Sequence, residues 1–471
     1  MSRSLVARVL RFALVPSFVF ALAQSALAVD YCVAPNTTCG GTKIGTFQNA
    51  LDLAAFTPES DRVFLGATTY TAPAANGFVF YQPNDAPVEI VGAGQGQTTV
   101  TGQVGGNSQA LKLFGGAGTS VHDLNIRVQM NSAAGTVGLW TNAAARALTV
   151  TADPVQPAGA VGVSLDGGSL DNSLVSLSAS ASTSAVTVDK HGGTVRDSSI
   201  FARNGVSCGY GCTVERTRVT ADSSAVSSYG GATTVRNSIL MTDGGLGVYA
   251  DTRTGSDSTV SLDGVSIASW GQGGDGVDAV TATAPGQSLQ VSITNSLVRG
   301  YFTALRAEAG GAGTAKIAAS YSDYAGGANA ISGANAVIAE DHVSKVAGDC
   351  FGLDGGLPDY TQPLDGSPLI DAGDPATPQG TDLLGNPLVT DGNHDGIARR
   401  DIGAVEVTGP LPVGPPNGPA DPSAPAAAGE PGAAPEGAPP GPGTGAPADT
   451  QAPLVSGFGV TRKLFAVGRG T

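Results

Sequence analysis

Charged side chains with the potential for acid–base chemistry are concentrated between residues 189 and 236. The main candidates for proton transfer are Lys190, His191, Arg196, Asp197 and Arg203. They are accompanied by Asp189, Glu215, Arg216, Asp222 and Arg236. Carboxylates beside His, Lys or Arg can donate or abstract protons, so this set is the best candidate in the sequence for a catalytic groove. The alternative is structural, because Arg196, Glu215 and Arg236 recur at equivalent positions and could form an exposed charge ladder. Such a ladder contributes only a few tenths of a kcal/mol per pair.

The segment "DGNHDG" predicts a calcium site. Asp391, Asn393 and Asp395 alternate and are followed by Gly396, which permits the sharp turn of a wrapping loop. The carbonyl of Ile397 and the carboxylate of Asp401 could complete the shell. Position 12 of the loop is Ile402 rather than Glu, so we expect a weak affinity near ~10⁻⁴ M. The alternative is a turn that binds no ion, and no other cofactor is indicated.

Aromatic side chains in the middle of the chain could bind sugars by stacking, or could instead pack in the core or in turns. They are Trp140, Tyr229, Tyr249, Trp270, Tyr301, Phe302, Tyr321 and Tyr324. Three histidines, His122, His342 and His394, are isolated in the sequence, and we expect them to face solvent.

Charge and composition limit the partners and the compartment. Residues 1–28 combine three Arg, an apolar run and an Ala26-Leu27-Ala28 cleavage site, which predicts a signal peptide rather than a lone membrane anchor. Removing those three Arg changes the net charge from −15 to −18, which disfavours nucleic-acid binding. No later stretch resembles a membrane helix. The sequence therefore predicts a secreted or cell-surface protein.

Five Cys suit an oxidising compartment. Their spacing predicts two local disulfides, Cys32–Cys39 and Cys208–Cys212, with Cys350 unpaired. A long-range bond from Cys350 to one of the other four is the alternative.

The C-terminal region differs sharply in composition. Residues 409–453 hold 14 of the 29 Pro and predict a disordered linker that cannot form a core. Residues 454–471 are apolar and β-prone, and resemble the start of a further β module.

Residues 101–325 contain a repeat with a period between 19 and 31 residues, which predicts a solenoid. Aligned six-residue phrases place their sixth positions at Ile126, Val150, Val175, Ile200, Val219, Leu240, Ile267, Val298 and Ser322. Six of the nine third positions hold residues that tolerate left-handed backbone, namely Asp123, Asn172, Asp197, Asn237, Gly264 and Asn295. A bend there would turn both the first and the sixth positions inward. An antiparallel β-sandwich is the alternative.

These short Val-, Ile-, Ser- and Gly-rich coils resemble the pectin-lyase-like superfamily. The resemblance implies an all-β, right-handed parallel β-helix with its first coils in residues 29–100. Residues 46–56 predict an N-capped amphipathic helix with Phe47, Leu51 and Ala54 or Ala55 on one face. Such a helix would cover the open N-terminal end of the β-helix.

Residues 326–408 carry a second resemblance. The segments "SPLIDAGD", "TDLLGNPLV", "DGNHDG" and "DIGAVE" resemble the closing segments of secreted bacterial proteins of the choice-of-anchor Q group. That group implies export and surface attachment, but it implies no reaction.

Two functional hypotheses follow. The first is a non-catalytic exported β-helix that serves surface display, adhesion or the binding of a polysaccharide or cell-envelope glycan. The alternative is a polysaccharide lyase, epimerase or hydrolase, because the superfamily includes such enzymes. The polygalacturonase segments of the superfamily are missing here. The long Pro-rich spacer motivates the first hypothesis, because a stalk suits a displayed module better than a diffusing enzyme.

Overall fold

The computed structural model describes residues 27–408 except 37, 74–75, 83–86, 103–108, 129–135, 153–158, 178–182, 253–254, 272, 282–285, 325–326, 347–350, 355–356 and 365. Side chains at 351–361 are not described either. Several predictions fall outside these residues. They are the signal peptide up to residue 26, the linker 409–453, the segment 454–471 and the state of Cys350.

One helix and many short strands make up the chain. The elements of the first part are β1 (Asp30–Val33), β2 (Thr42–Ile44), α1 (Phe47–Ala54), β3 (Asp61–Phe64), β4 (Thr69–Thr71), β5 (Phe78–Tyr81), β6 (Val88–Val91), β7 (Thr99–Thr101), β8 (Gln109–Phe114), β9 (Ser120–Val128), β10 (Val137–Thr141), β11 (Ala144–Ala152), β12 (Val161–Leu165), β13 (Ser169–Asp171), β14 (Leu174–Ser176), β15 (Ser184–Val188) and β16 (Thr194–Arg196). Those of the second part are β17 (Ser199–Cys208), β18 (Thr213–Glu215), β19 (Arg218–Ser228), β20 (Gly231–Asp243), β21 (Leu246–Asp251), β22 (Ser258–Gly271), β23 (Asp275–Thr281), β24 (Ser288–Thr294), β25 (Leu297–Arg299), β26 (Thr303–Ala309), β27 (Thr314–Ser320), β28 (Asp323–Tyr324), β29 (Ala328–Ser332), β30 (Ala336–Asp341), β31 (Phe351–Asp354) and β32 (Leu357–Pro363).

Parallel pairing between successive coils arranges these strands into three faces. Face A runs β1-β3-β6-β9-β11-β13-β16-β18-β20-β22-β24-β27-β30. Face B runs β4-β7-β9-β11-β14-β17-β19-β20-β22-β25-β28. Face C runs β5-β8-β10-β12-β15-β17-β19-β21-β23-β26-β29.

This topology confirms the parallel β-helix and excludes the antiparallel sandwich. Long strands such as β17 and β19 turn a corner, so the three faces form one continuous sheet of 30 strands. Among the named strands, only β31 and β32 pair in antiparallel fashion. Right-handed winding stays a prediction, and it follows the strong preference of parallel crossovers for that hand.

The corner between faces A and B is made by the third position of the repeat. Ten consecutive coils place this residue at φ between 43° and 63°: Asp123, Ala147, Asn172, Asp197, Arg216, Asn237, Gly264, Asn295, Tyr321 and His342. The six residues predicted to bend the chain are all among them. In the first eight phrases the first and sixth positions are at most 1% exposed, which confirms that both point inward.

The ninth six-residue phrase begins two residues later in the structure than the sequence pattern predicted. The left-handed residue of that coil is Tyr321, and Val298 pairs with Tyr324, so Tyr324 and not Ser322 holds the sixth position. Ser322 holds the fourth position. Its hydroxyl accepts the N–H of Ser296 at 3.1 Å and donates to the carbonyl of Ser320 at 2.7 Å.

The same fourth-position hydroxyl links other coils. Ser198 accepts the N–H of Ser173 at 3.1 Å, and Ser173 accepts the N–H of Leu148 at 3.0 Å. The left-handed residue turns each of these amides out of the regular ladder. A hydroxyl from the next coil supplies the partner that a buried amide needs.

The N-terminal helix forms as expected. Thr46 caps it by accepting the N–H of Asn49 at 3.3 Å, and the helix buries Phe47, Ala50, Leu51 and Ala54. The ring of Phe47 lies 4.5 Å from that of Phe78 on face C. The helix thus packs on the first coils, and its role as a cover for the open end stays a prediction.

Both local disulfides are present. Cys32 bonds Cys39, and Cys208 bonds Cys212. Disulfides of this kind are typical of proteins in oxidising, extracellular compartments. Among the residues described, no helix is long and apolar enough to cross a membrane.

Residues 367–408 form isolated β-bridges rather than regular strands, and they pack against the corner between faces A and B. Asn295 accepts the N–H of Asp374 through Oδ1 at 2.6 Å and that of Gly403 through its carbonyl at 2.9 Å. Asn237 donates to the carbonyl of Thr381 at 2.8 Å. The left-handed corner residues therefore bend the coil and also bind the C-terminal segment.

Candidate functional site

The charged residues first considered for catalysis are spread over the faces of the β-helix and the turns between them. The register places Arg146, Asp171, Arg196, Glu215, Arg236 and Asp263 side by side in one column of face A. Charges alternate along the whole column, and Arg196 bonds Asp171 directly. This confirms the charge ladder that was the structural alternative.

The remaining members form separate surface pairs. Arg216 makes a bidentate contact with Asp197 at 2.7 and 3.0 Å, and a further bond to Glu215 at 2.9 Å. His191 bonds Asp166, while Lys190 and Asp222 are exposed and Arg203 is half-buried. Asp189 accepts the hydroxyl of Ser164 at 3.0 Å. These contacts do not converge on one groove, so a catalytic role for Lys190, His191, Arg196, Asp197 and Arg203 gains no support from them.

A more continuous surface lies on the outside of face C. One outward residue from each coil stands in register with the next, and this outer row consists of Lys112, Trp140, Ser164, Thr187, Ser207, Ser227, Tyr249, Asp278 and Arg306. The row alternates with fully buried residues such as Leu139 and Val248, so its side chains point away from the core.

Aromatic rings surround a cation at the N-terminal end of the outer row. The ammonium of Lys112 lies 4.4 Å from the ring centroid of Trp140, 5.3 Å from Tyr81 and 5.5 Å from Phe114. Phe114 meets Trp140 edge-on at 5.2 Å. Tyr81 is 60% exposed, so this aromatic cluster offers a stacking surface to solvent.

Hydroxyl groups and two tyrosines follow along the outer row. Ser164, Thr187, Ser207 and Ser227 occupy the row over four successive coils. Thr187 and Ser207 are half-buried, whereas Ser164 and Ser227 are 7% exposed and bond Asp189 and Ser224. Tyr249 then follows, and its ring lies 6.1 Å from that of Tyr229. Five coil steps separate Trp140 from Tyr249, which is about 24 Å at the usual strand spacing.

The C-terminal end of the outer row carries a buried carboxyl beside an arginine. Asp278 is 8% exposed, and its Oδ1 lies 3.9 Å from Nε of Arg306 without accepting a hydrogen bond. Arg306 contacts Asp275 at 2.9 and 3.2 Å. Burial, together with the negative charge of Asp275, raises the pKa of Asp278 to about 6. A carboxyl with this pKa can exchange a proton near neutral pH.

The aromatic residues proposed for stacking are used in several ways. Trp140, Tyr229 and Tyr249 belong to face C as described, whereas Tyr301 and Tyr324 are core residues at 5% and 2% exposure. Phe302 is exposed and Trp270 is half-buried.

The expectation for the histidines holds only in part. His394 is exposed, and the exposed His342 stacks on Tyr321 with centroids 4.7 Å apart. His122 is neither isolated nor solvent-facing, because it bonds Glu89 and Asp123 and its side chain is 12% exposed.

The loop predicted to hold calcium closes on itself through hydrogen bonds. Asp391 accepts the N–H groups of Asp395 and Gly396 at 3.1 and 2.9 Å, and Asn393 also accepts that of Asp395. Both oxygens of Asp401 are engaged elsewhere, with the N–H groups of Asp371 and Val407. Within the described parts of residues 27–408, no three His, Cys, Asp or Glu side chains are grouped as metal ligands.

Known proteins offer only distant similarities. No protein-family model matches the chain, and no curated protein matches its sequence. Among solved structures, pectate lyase Pel9A aligns over 81% of this chain and 98% of its own, with 10% identity and a TM-score of 0.49. The A-modules of the mannuronan C-5 epimerases AlgE6 and AlgE4 from Azotobacter vinelandii align over 63% and 64% of this chain and 92% and 94% of their own. Each is 15% identical, and the TM-scores are 0.27 and 0.25. The assignment of a parallel β-helix therefore rests on the strand pairing of the chain itself.

Proposed function

We propose that the protein binds an extended polysaccharide along the outer row of face C without cleaving it. The observation that carries the proposal is the register that places the aromatic cluster, the half-buried hydroxyls of Thr187 and Ser207, and Tyr249 with its neighbour Tyr229 along one face over about 24 Å. Rings stack on the apolar faces of sugars, and hydroxyl groups both donate and accept hydrogen bonds, which suits a repeating polyhydroxylated chain.

The proposal includes export and display at the cell surface. The signal-peptide pattern, the resemblance to the choice-of-anchor group and the Pro-rich composition of residues 409–453 support it, since such a spacer can hold a binding module away from its attachment point. Fractionation of the native host should find the protein in the envelope or the medium. Recovery from the cytoplasm would contradict export.

Replacing Trp140 by alanine is expected to weaken polysaccharide binding at least about 10-fold, because aromatic anchors commonly dominate binding energy. The measurement is a glycan array followed by titration of the best ligand. Trp270→Ala is the matched control, since it removes the same side chain from another part of the β-helix and should leave affinity unchanged. Equal affinities for the wild-type protein and Trp140→Ala would contradict binding along the outer row.

A second candidate, a polysaccharide lyase, epimerase or hydrolase, is favoured by Asp278. Its buried carboxyl beside Arg306 at one end of the outer row could serve as a general acid or base. The protein would be incubated with uronans and neutral glycans, and unsaturated products, reducing ends and epimer composition would be measured. Turnover that is lost in Asp278→Asn would establish this function and overturn the non-catalytic proposal.

Calcium is expected to stabilise the fold through Asp391, Asn393 and Asp395. For an affinity near ~10⁻⁴ M, calcium at about 1 mM adds about 1.4 kcal/mol to the free energy of unfolding. Melting in calcium and in excess chelator measures the effect, and Asp395→Ala should abolish it. An identical melting temperature in both conditions would leave only the hydrogen-bonded turn.

A further inference from the structure

A concave surface lies where the chain passes from face C to face A. It is a cleft of about 510 Å³, and its lining includes Glu89, Gly115, Asn142 and Arg146. Asn142 fixes this corner, because its side chain accepts the N–H of Gly115 at 3.1 Å and donates to the carbonyl of Gly115 at 3.2 Å.

A charged cluster forms one wall of the cleft. Oε1 of Glu89 lies 3.0 Å from Nε2 of His122 and 3.4 Å from Nη2 of Arg146. The other ring nitrogen of His122 lies 2.6 Å from Asp123. These contacts fix the carboxylate of Glu89, and the guanidinium of Arg146 offsets its charge. The wall therefore offers both a hydrogen-bond acceptor and donors without a strong net charge.

The cleft adjoins the aromatic cluster. Gly115 directly follows Phe114, and Asn142 lies two residues after Trp140. A sugar chain that stacks on the aromatic cluster therefore passes the mouth of the cleft, and a side unit could enter it.

We propose that the cleft binds one neutral hexopyranose unit, as a branch or end of the polysaccharide on the outer row. Glu89 accepts hydrogen bonds from vicinal hydroxyl groups, and Arg146 donates to the sugar oxygens. His122 is a positioning residue for Glu89. The polysaccharide part of this assignment rests on the proposed function, whereas binding of a single sugar to the cleft can be tested by itself.

The test uses the methyl glycosides of glucose, galactose and mannose at millimolar concentration with the full chain. Saturation-transfer NMR should detect at least one of them with the wild-type protein. Glu89→Gln and Arg146→Met should each reduce the signal several-fold while the circular-dichroism melting curve stays unchanged. Two variants guard against misfolding, because Glu89→Gln conserves volume and the side chain of Arg146 is 54% exposed.

Tyr249→Ala separates this inference from the proposed function. It lies at the far end of the outer row, so it should weaken polysaccharide binding and leave the methyl glycoside signal intact. Absence of any signal in the wild-type protein, or an unchanged signal in both cleft variants, overturns the inference. Polysaccharide binding is measured in the same samples. If it persists when the methyl glycosides do not bind, the outer row binds polysaccharide without the cleft.

Discussion

Replacement of Arg400 by methionine is expected to lower the free energy of unfolding by about 3–5 kcal/mol, the usual cost of removing one partner from a buried charged network. Arg400 is 1% exposed although it belongs to the irregular C-terminal segment. Its guanidinium bonds Asp263 at 3.0 Å and also bonds Asn237, and both partners lie at the corner between faces A and B. Methionine fills a similar volume but leaves these partners without their donor.

Urea denaturation of the wild-type protein and Arg400→Met measures this loss. Arg399→Met is the matched control, because the adjacent Arg399 is exposed and its replacement should change the free energy by no more than about 0.5 kcal/mol. Limited proteolysis adds a local readout, since the segment should become cleavable in Arg400→Met at lower urea than the β-helix. Equal stabilities for the two variants would contradict the role of Arg400.

The contact with Arg400 also explains one detail of the repeat. Gly264 holds the left-handed corner position at φ 63°, where the neighbouring coils have Asn237 and Asn295. A Cβ at Gly264 would lie 1.7 Å from Nη2 of Arg400. Left-handed backbone alone would accept asparagine there, so the approach of Arg400 is the additional reason for glycine.

The repeating part of the fold was predictable because its signal is local. Each corner needs a residue that tolerates positive φ, flanked by inward apolar residues, and phrases such as Val235 to Leu240 show this directly. The ninth coil was misplaced since Tyr321, a bulky residue, holds the left-handed position that Asn, Asp or Gly usually fills. Its side chain stacks on His342 in the next coil, and a six-residue phrase contains no trace of that contact.

The outer row of face C was not predictable in the same way. Its members differ in residue type from coil to coil, and loops of varying length separate them along the chain. Trp140, Tyr249 and Asp278 therefore do not occupy one recognisable position of the sequence repeat. Only the register of the finished β-helix places them in one row. The contact between Glu89 and His122 has the same origin, because it joins neighbouring coils 33 residues apart.

The stability of the C-terminal segment should also depend on pH through Glu406. This side chain is fully buried, and its Oε2 accepts the N–H of Asp401 at 2.9 Å. Burial, reinforced by the negative charge of Asp401, raises the pKa of Glu406 from its ordinary value of 4.5 to about 9. Burial is also the main reason why the pKa of Asp401 is raised, to about 6. Between about pH 4.5 and 9, Glu406 thus holds a proton in the folded protein that the unfolded chain has released, whereas Asp401 does so only below about pH 6.

Glu406→Gln is therefore expected to be more stable than the wild-type protein at pH 8, with an advantage that shrinks as the pH falls to 5. A raised carboxyl pKa gives stability that is complete below the unfolded pKa near 4.5 and is lost as the pH rises towards about 9. The loss is about 1.4 kcal/mol per pH unit, and glutamine avoids it because it keeps the accepting oxygen but cannot ionise. Urea denaturation at pH 5, 6.5 and 8 measures the difference.

Glu340→Gln is a control of opposite sign. The hydrogen bond from Tyr324 lowers the pKa of Glu340, so this substitution should bring no gain in stability at pH 8. A constant difference between Glu406→Gln and the wild-type protein across this range would show that Glu406 does not take up a proton on folding.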